Sequence, residues 1–425
     1  MAAEKSPSTV VEKKTSEKPV ETPKEKLPVV NEREKKKQTF ITRTIWSLVM
    51  ILGFVVTILL GHVPLIGIVL LFETLTFKEI IALTSEPARD KNIPWNKSLN
   101  WYLLVCTMYY LDGESFFLFL GETVYSLKVL TFLYKNHKFV SYGLYILGFV
   151  LFVWTLKKGF YKFQFMSLCI THTTLILVVF QAHLIIENIF NGIIWFLLPV
   201  SLVIVNDIFA YLCGITFGKT QLIEISPKKT VEGFVGAWFC TGAAGVVFAH
   251  FLSMSDYLIC PAVNLQTNVY NYPHCDPNPV FIPQIYQIPS NIAAWTGISV
   301  ITMMPMYFHA AAIATFASLI APFGGFFASG LKRAFGIKDF GDTIPGHGGI
   351  TDRFDCQFLM GSFSYLYYQT FIASSNISLG KVLQMAVFHL STDEIEQLVM
   401  SLLKYLNASG ALDQAKLEQI FNLMN

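Results

Sequence analysis

The sequence predicts an all-α, polytopic integral membrane protein, and three observations carry that prediction. Hydrophobic residues fill 53% of its 425 positions and charged ones only 14%, whereas soluble domains carry about 25% charged residues. The mean hydropathy is +0.50. The apolar residues gather into nine runs, most of them approaching the roughly 20 residues that cross a bilayer core.

In chain order, residues 1–38 are rich in Lys, Glu, Pro, Ser and Thr. They hold too little apolar surface to offset the entropy of ordering, so this segment is expected to be disordered and cytosolic. Its polarity also argues against a cleavable signal peptide. Residues 39–374 form the membrane domain, with candidate spans at 45–60, 64–83, 101–111, 139–156, 163–185, 192–213, 231–254, 306–327 and 358–373. The third run is short, and the apolar stretch 115–134, broken by Gly121-Glu122, reads as interfacial. Residues 375–425 form a tail in which Ser391 and Glu394 match a capping box ahead of an amphipathic helix.

The basic residues orient this bundle. Lys78, Arg89, Lys91 and Lys97 fall in one connection, Lys157, Lys158 and Lys162 in another, and Lys219, Lys228 and Lys229 in a third. With nine spans, all share one face with the N-terminus, while residues 255–305 contain neither Lys nor Arg. The positive-inside tendency then puts the N-terminus and the charged connections in the cytosol. Cys260 and Cys275 lie in the Lys/Arg-free connection, expected to face an oxidising lumen, and are predicted to pair. The seven cysteines include no CxxC pair and no zinc-like spacing with His.

Chemistry concentrates between Ser329 and Asp355, where a dense polar segment separates two apolar runs. On a helix, Asp352 and Asp355 at i and i+3 share a face, a spacing suited to Mg²⁺, which combines few carboxylates with substrate phosphates. Asp339 and Asp342 are further acids; the alternative pairs the carboxylates with Arg353 and nearby lysines. Pro345-Gly346-His347-Gly348-Gly349 reads as a tight turn whose amides cradle an anion. Lys332, Arg333 and Lys338 read either as phosphate contacts or as topology anchors.

A second constellation runs from Asn206-Asp207 through Gly218-Lys219 to Ser226-Pro227-Lys228-Lys229 and Glu232-Gly233. Asp207 is an acid at the end of a span, a functional candidate by default, and the lysines suit a triphosphate. Two spans separate it from the first segment, which puts both on one face. Gly218-Lys219-Thr220 lacks the upstream glycine of a Walker loop. Glu73, Glu79, His172 and His183 are read as interhelical or interfacial groups without a catalytic role.

Taken together, Ser329-x-x-Lys332-Arg333, Lys338-Asp339, Pro345-x-His347-Gly348-Gly349 and Asp352-Arg353-x-Asp355 resemble the signature of phosphatidate cytidylyltransferases, or CDP-diacylglycerol synthases. The segment from Asn206 to Gly233 is similar to that family's second motif region, and the likeness, strongest to fungal members, covers most of residues 43–373. It implies CMP transfer from CTP to phosphatidate, with Mg²⁺ (Mn²⁺ as a substitute), at the endoplasmic reticulum membrane, by a homodimer. By matching positions it implies Asp352, Asp355 and Asp339, with Asp207, as metal ligands. Lys332 and Arg333 are implied as catalytic cations, and Ser329, Lys338, His347, Gly348, Gly349 and Arg353 as substrate contacts. Lys219, Ser226, Lys228 and Lys229 are implied in the nucleotide pocket. Many bacterial relatives have Asp and Glu where this chain has Gly325 and Ala328, which implies a different ligand set here, completed by Asp207 or lipid phosphate. The rivals are a CTP-dependent polyprenol kinase and a transporter; the clustering of charge at one face and the lack of an internal repeat oppose the transporter.

Overall fold

The computed structural model describes residues 32–409 apart from 94, 121–127, 228, 263–266, 273, 289–290, 292, 294–296, 298, 374–385 and 387–389. Most of the predicted disordered head therefore lies outside the described residues. Its last part is helical, contrary to expectation: α1 spans Glu32–Leu60, because a run of Glu, Arg, Lys and Gln favours helix as soon as an apolar stretch follows to anchor it.

The other elements follow in order: α2 (His62–Asp90), α3 (Asn96–Leu120), α4 (Lys128–Lys135) and α5 (His137–Trp154). Next come α6 (Tyr161–Asn191), with a π turn at Leu175–Phe180, then α7 (Ile194–Phe217), α8 (Val231–Leu252) and the short α9 (Asp256–Ile259). Strands β1 (Gln284–Gln287) and β2 (Val300–Met303) pair antiparallel, Gln284 opposite Met303. The chain continues with α10 (Met306–Leu319), α11 (Pro322–Ala334), α12 (Thr351–Tyr367) and α13 (Thr392–Ala408). Ser391 and Glu394 form the expected capping box at α13.

Each of the nine predicted runs is mostly helical, the run 306–327 being divided between α10 and α11. Among the described residues, six stretches are long and apolar enough to cross a membrane: 40–60, α5, α6, α7, α8 and Met306–Ala334. The other three runs lie in α2, α3 and α12, which carry the polar groups discussed below. The short third run was drawn to stop before Asp112, yet α3 continues to Leu120. Asp112 is tolerated there because its Oδ1 lies 2.8 Å from His183 Nδ1 on α6, and a paired acid can remain within a bundle.

The core forms where α7, α8 and α10 pack. Leu198 and Leu202 meet fully buried Ala310, Ala314 and Ala317, and a Cβ at Gly245 would sit 3.2 Å from Ala314 Cβ. Small residues let the backbones approach closely. Polar bonds then tie α12 to its neighbours: Asn188 Nδ2 donates to Gly361 O (3.0 Å) and Ser364 Oγ to Trp195 O (3.0 Å). Gly361 presses so closely on Ile185 that a Cβ there would overlap its side chain.

Two predictions follow from this packing. Gly361→Ala is expected to destabilise the detergent-solubilised protein by about 1–3 kcal/mol, the usual cost of overpacking, read as a lower melting temperature. Cys260 and Cys275 are bonded, with Cα atoms 5.8 Å apart. Mass mapping of unreduced protein should find that crosslink, which in the chain-entropy model contributes roughly 3 kcal/mol; alkylation of both thiols without reductant would contradict it.

Candidate active site

The charged end of the bundle is built where α11 stops and α12 starts. Ser329, Lys332 and Arg333 lie at i, i+3 and i+4 near the end of α11, where cations complement the helix dipole. Lys332 Nζ lies 2.5 Å from Asp352 Oδ1, both side chains largely buried. Asp352 Oδ2 accepts from Phe340 N at 3.0 Å, and Phe340 also packs below the Lys332 ammonium. Both oxygens of Asp352 are therefore engaged within the protein.

The connection between these helices is a compact turn. Ile344 N donates to Gly348 O, while His347 N and Gly348 N donate back to Ile344 O at 2.9 and 3.2 Å. Gly346 and Gly348 take φ values of +77° and +83°, which residues with a Cβ adopt at a cost. The turn is tied to α1 by Arg43 Nε donating to Gly346 O (2.9 Å) and by Ser47 Oγ 3.2 Å from His347 Nε2. Arg353 folds back to donate to His347 O at 2.8 and 3.2 Å.

The anion this turn cradles is part of the protein. Glu79, on α2, accepts Thr343 Oγ1 (2.5 Å) and Ile350 N (3.0 Å) through Oε1, and Thr351 N and Oγ1 (both 2.8 Å) through Oε2. No side chain of Ile350, at the N-cap position, closes α12; Glu79 does so from 271 positions away. Of the two readings of Glu79, interhelical or interfacial, the structure shows the first. The only sequence signal was an acid beside an apolar run.

The second constellation closes in the same manner. A bridge pairs Gln221 with Thr230, and Leu222 N donates to Lys229 O at 2.9 Å. Glu232, at the start of α8, accepts Lys219 N (3.0 Å), Thr220 N (3.1 Å) and Thr220 Oγ1 (2.8 Å). Ser226 sits at the tip, its carbonyl taking Lys229 N at 3.1 Å. Lys228 lies outside the described residues.

The two constellations meet. Lys229 Nζ lies 3.4 Å from Asp207 Oδ1, both partly exposed. Burial chiefly pushes the Asp355 carboxyl above the usual carboxylate range; the charge of Asp207 adds to this and that of Lys332 opposes it. Asn206, Lys229, Thr230 and Phe234 line a small cleft with Pro322 and Phe326 of α11. Arg333, Lys338 and Asp339 are exposed at the rim, with Asp339 Cβ against Gly348. Asp355 Oδ1 accepts Cys356 N (2.7 Å), and a Cβ at Gly325 would sit 3.4 Å from Asp355 Oδ2.

Among the described residues no three acids, histidines or cysteines converge as a metal cage. Asp207 and Asp355 are carboxylates of the oxygen-donor type that Mg²⁺ takes together with phosphate oxygens. Asp352, the other half of the expected i,i+3 pair, is instead committed to Lys332.

Fold and site define a class: an all-α membrane bundle with acids and lysines assembled at one end for phosphate chemistry. The model of the cytidylyltransferase family matches residues 41–371, and the chain belongs to that family. It is 54% identical over 404 residues to the phosphatidate cytidylyltransferase of Saccharomyces cerevisiae, covering 95% of this chain and 88% of that one. It is 43% identical to phosphatidate cytidylyltransferase 1 of Arabidopsis thaliana (88% and 89% covered) and 45% identical to phosphatidate cytidylyltransferase 1 of Homo sapiens (80% and 74%).

The Lys332–Asp352 pair generates a prediction. Removing one partner of a buried ion pair strands the other charge, at about 3–5 kcal/mol, whereas removing both does not. Asp352→Asn is expected to lower the melting temperature more than the double variant Asp352→Asn, Lys332→Met does.

Proposed function

We propose that this protein transfers CMP from CTP to phosphatidate, yielding CDP-diacylglycerol and pyrophosphate. Membership of the cytidylyltransferase family and the names of its relatives support the reaction class and both substrates. The observation that carries the reading in the structure is the gathering of two acid–lysine pairs, Asp207–Lys229 and Asp352–Lys332, around α11, where Lys229 lines a cleft with Pro322 and Phe326 and Asp355 lies against Gly325.

In this reading a phosphate oxygen of phosphatidate attacks the α-phosphorus of CTP. A new P–O bond forms, the bond to the bridging oxygen between the α- and β-phosphates breaks, and pyrophosphate leaves. No covalent enzyme intermediate is required, since the lipid phosphate is itself the nucleophile. The protein's task is to align two anions and offset their repulsion. Lys229 and Lys219, on the loop held by Glu232, face the nucleotide phosphates. Lys332, kept in place by Asp352, serves the reacting phosphates, and exposed Arg333 and Lys338 at the rim receive the lipid headgroup. Asp355 and Asp207 would hold Mg²⁺, which when bound neutralises phosphate charge. The charged end faces the cytosol, where CTP is found, a placement supported by the distribution of Lys and Arg, and the membrane is the endoplasmic reticulum, supported by the family likeness alone. A homodimer completes the reading, supported by the family likeness alone.

The test is direct. Purified protein given phosphatidate, labelled CTP and Mg²⁺ should form a nucleotide-bearing lipid and release pyrophosphate. A folded protein that forms none, or that releases CDP, would overturn the reading. Asp355→Asn should lower turnover by orders of magnitude, each tenfold corresponding to about 1.4 kcal/mol. Lys229→Ala should raise the CTP concentration required, and unchanged kinetics would reduce Lys229 to a topology anchor.

A further inference from the structure

We propose that Glu79 is the positioning residue of this site: its carboxylate fixes the 341–351 turn and the start of α12, and so sets where Asp352 and Asp355 stand. The inference rests on the CMP-transfer reading for its kinetic consequence, though not for its structural one.

Glu79 is buried and lies on α2, while the four donors it binds belong to Thr343, Ile350 and Thr351. Thr343 and Thr351 lie at opposite ends of the glycine turn, so one carboxylate closes the loop across its base. The approach is close on both sides. A Cβ at Gly341 would sit 3.0 Å from Glu79 Oε1, and one at Gly349 would sit 2.8 Å from Oε2 and 3.1 Å from Asp352 Oδ2. Glu79 and Asp352 thus flank the same glycine, Asp352 reaching on to Phe340 N and Lys332. Asp355 follows one turn along α12. A shift of the first turn of α12 would move both acids relative to Lys332, Lys229 and Asp207. Glu79 touches none of the reacting groups, so its action is through placement.

Glu79→Gln is the sharp change, because it keeps the size but leaves one oxygen and turns an N–H₂ toward backbone N–H donors. Three measurements on the full-length protein in detergent decide the matter. With CTP and phosphatidate, kcat is expected to fall by on the order of 100-fold, the scale of a 1 Å misplacement, while the KM for CTP stays that of the parent, since the Lys219–Lys229 loop is untouched. Thr343→Val, which removes a single donor, is expected to lower kcat less and to add nothing on top of Glu79→Gln. Maleimide should label Ile350→Cys, buried in the parent, rapidly once Glu79→Gln is added. Buried Ala317→Cys on α10 should stay protected. Unchanged kcat, fully additive losses, an unlabelled Ile350→Cys or simultaneous opening of Ala317→Cys would each overturn the proposal. If the parent protein makes no nucleotide-lipid, the CMP-transfer reading fails by itself, and the labelling pair still decides whether Glu79 holds the turn.

Discussion

Where a helix begins, its first backbone donors have no partners within the helix, and against an apolar bundle water is a poor substitute. The Glu79 carboxylate meets that constraint for α12, and the charged end of the protein depends on it. Hydrogen bonds to a charged group contribute about 1.5–3 kcal/mol each, more than the neutral turn bonds among Ile344, His347 and Gly348. The local sequence leaves α12 without a side-chain cap of its own. An acid from the second helix supplies the cap, and in doing so joins the early and late parts of the chain.

The same device recurs at Glu232, whose carboxylate gathers Lys219 N, Thr220 N and Thr220 Oγ1. Each loop is thus organised around an internal anion. The consequence for chemistry lies in what remains. His347 N, Gly348 N, Ile350 N and Thr351 N are all engaged internally, so these amides of the turn serve to support the site. In the proposed reading, phosphate recognition falls to side chains, with Lys229 paired to Asp207 and Lys332 paired to Asp352. Pairing each cation with an acid lets these groups sit close together at one end of the bundle.

Much of this was legible in the sequence. The apolar runs pointed to an all-α membrane bundle, six of them coinciding with stretches long and apolar enough to cross a membrane, and the parity of spans put Asp207–Glu232 and Ser329–Asp355 on one face. Hydrophobic periodicity and charge placement carry that information because they reflect local transfer energies. Three features were not legible. The extension of α3 past Asp112 required knowing that His183, 71 residues on, is its partner. The i,i+3 spacing of Asp352 and Asp355 was real, but which acid would be taken by Lys332 depended on the angle between α11 and α12. Glu79 could be read as interhelical or interfacial, but its partners could not be named, because all four of its donors lie more than 260 positions away. Each failure is one of long-range pairing, where the energy belongs to two distant residues and neither alone announces it.

Helices α2, α3 and α12 hold predicted runs but are not among the long apolar stretches, and each carries acids: α2 Glu73 and Glu79, α3 Asp112, and α12 Asp352 and Asp355. Such residues are costly in a bilayer unless they face protein, so these helices must be held by means other than lipid affinity. For α12 the means are visible. Asn188 and Ser364 bond across to neighbouring backbone, Gln357 Nε2 donates to Val200 O at 3.3 Å, and Gly361 brings it tight against Ile185. Asp355 lies one residue before a stretch in which Cys356, Phe358 and Met360 are buried in the core. The helix that carries the acids is thus tied to the bundle along its length, and its charged first turn is held at one end by packing and at the other by Glu79. That double hold fixes where Asp352 stands against Lys332 and Asp355 against Gly325, because a helix free to shift would carry both acids with it.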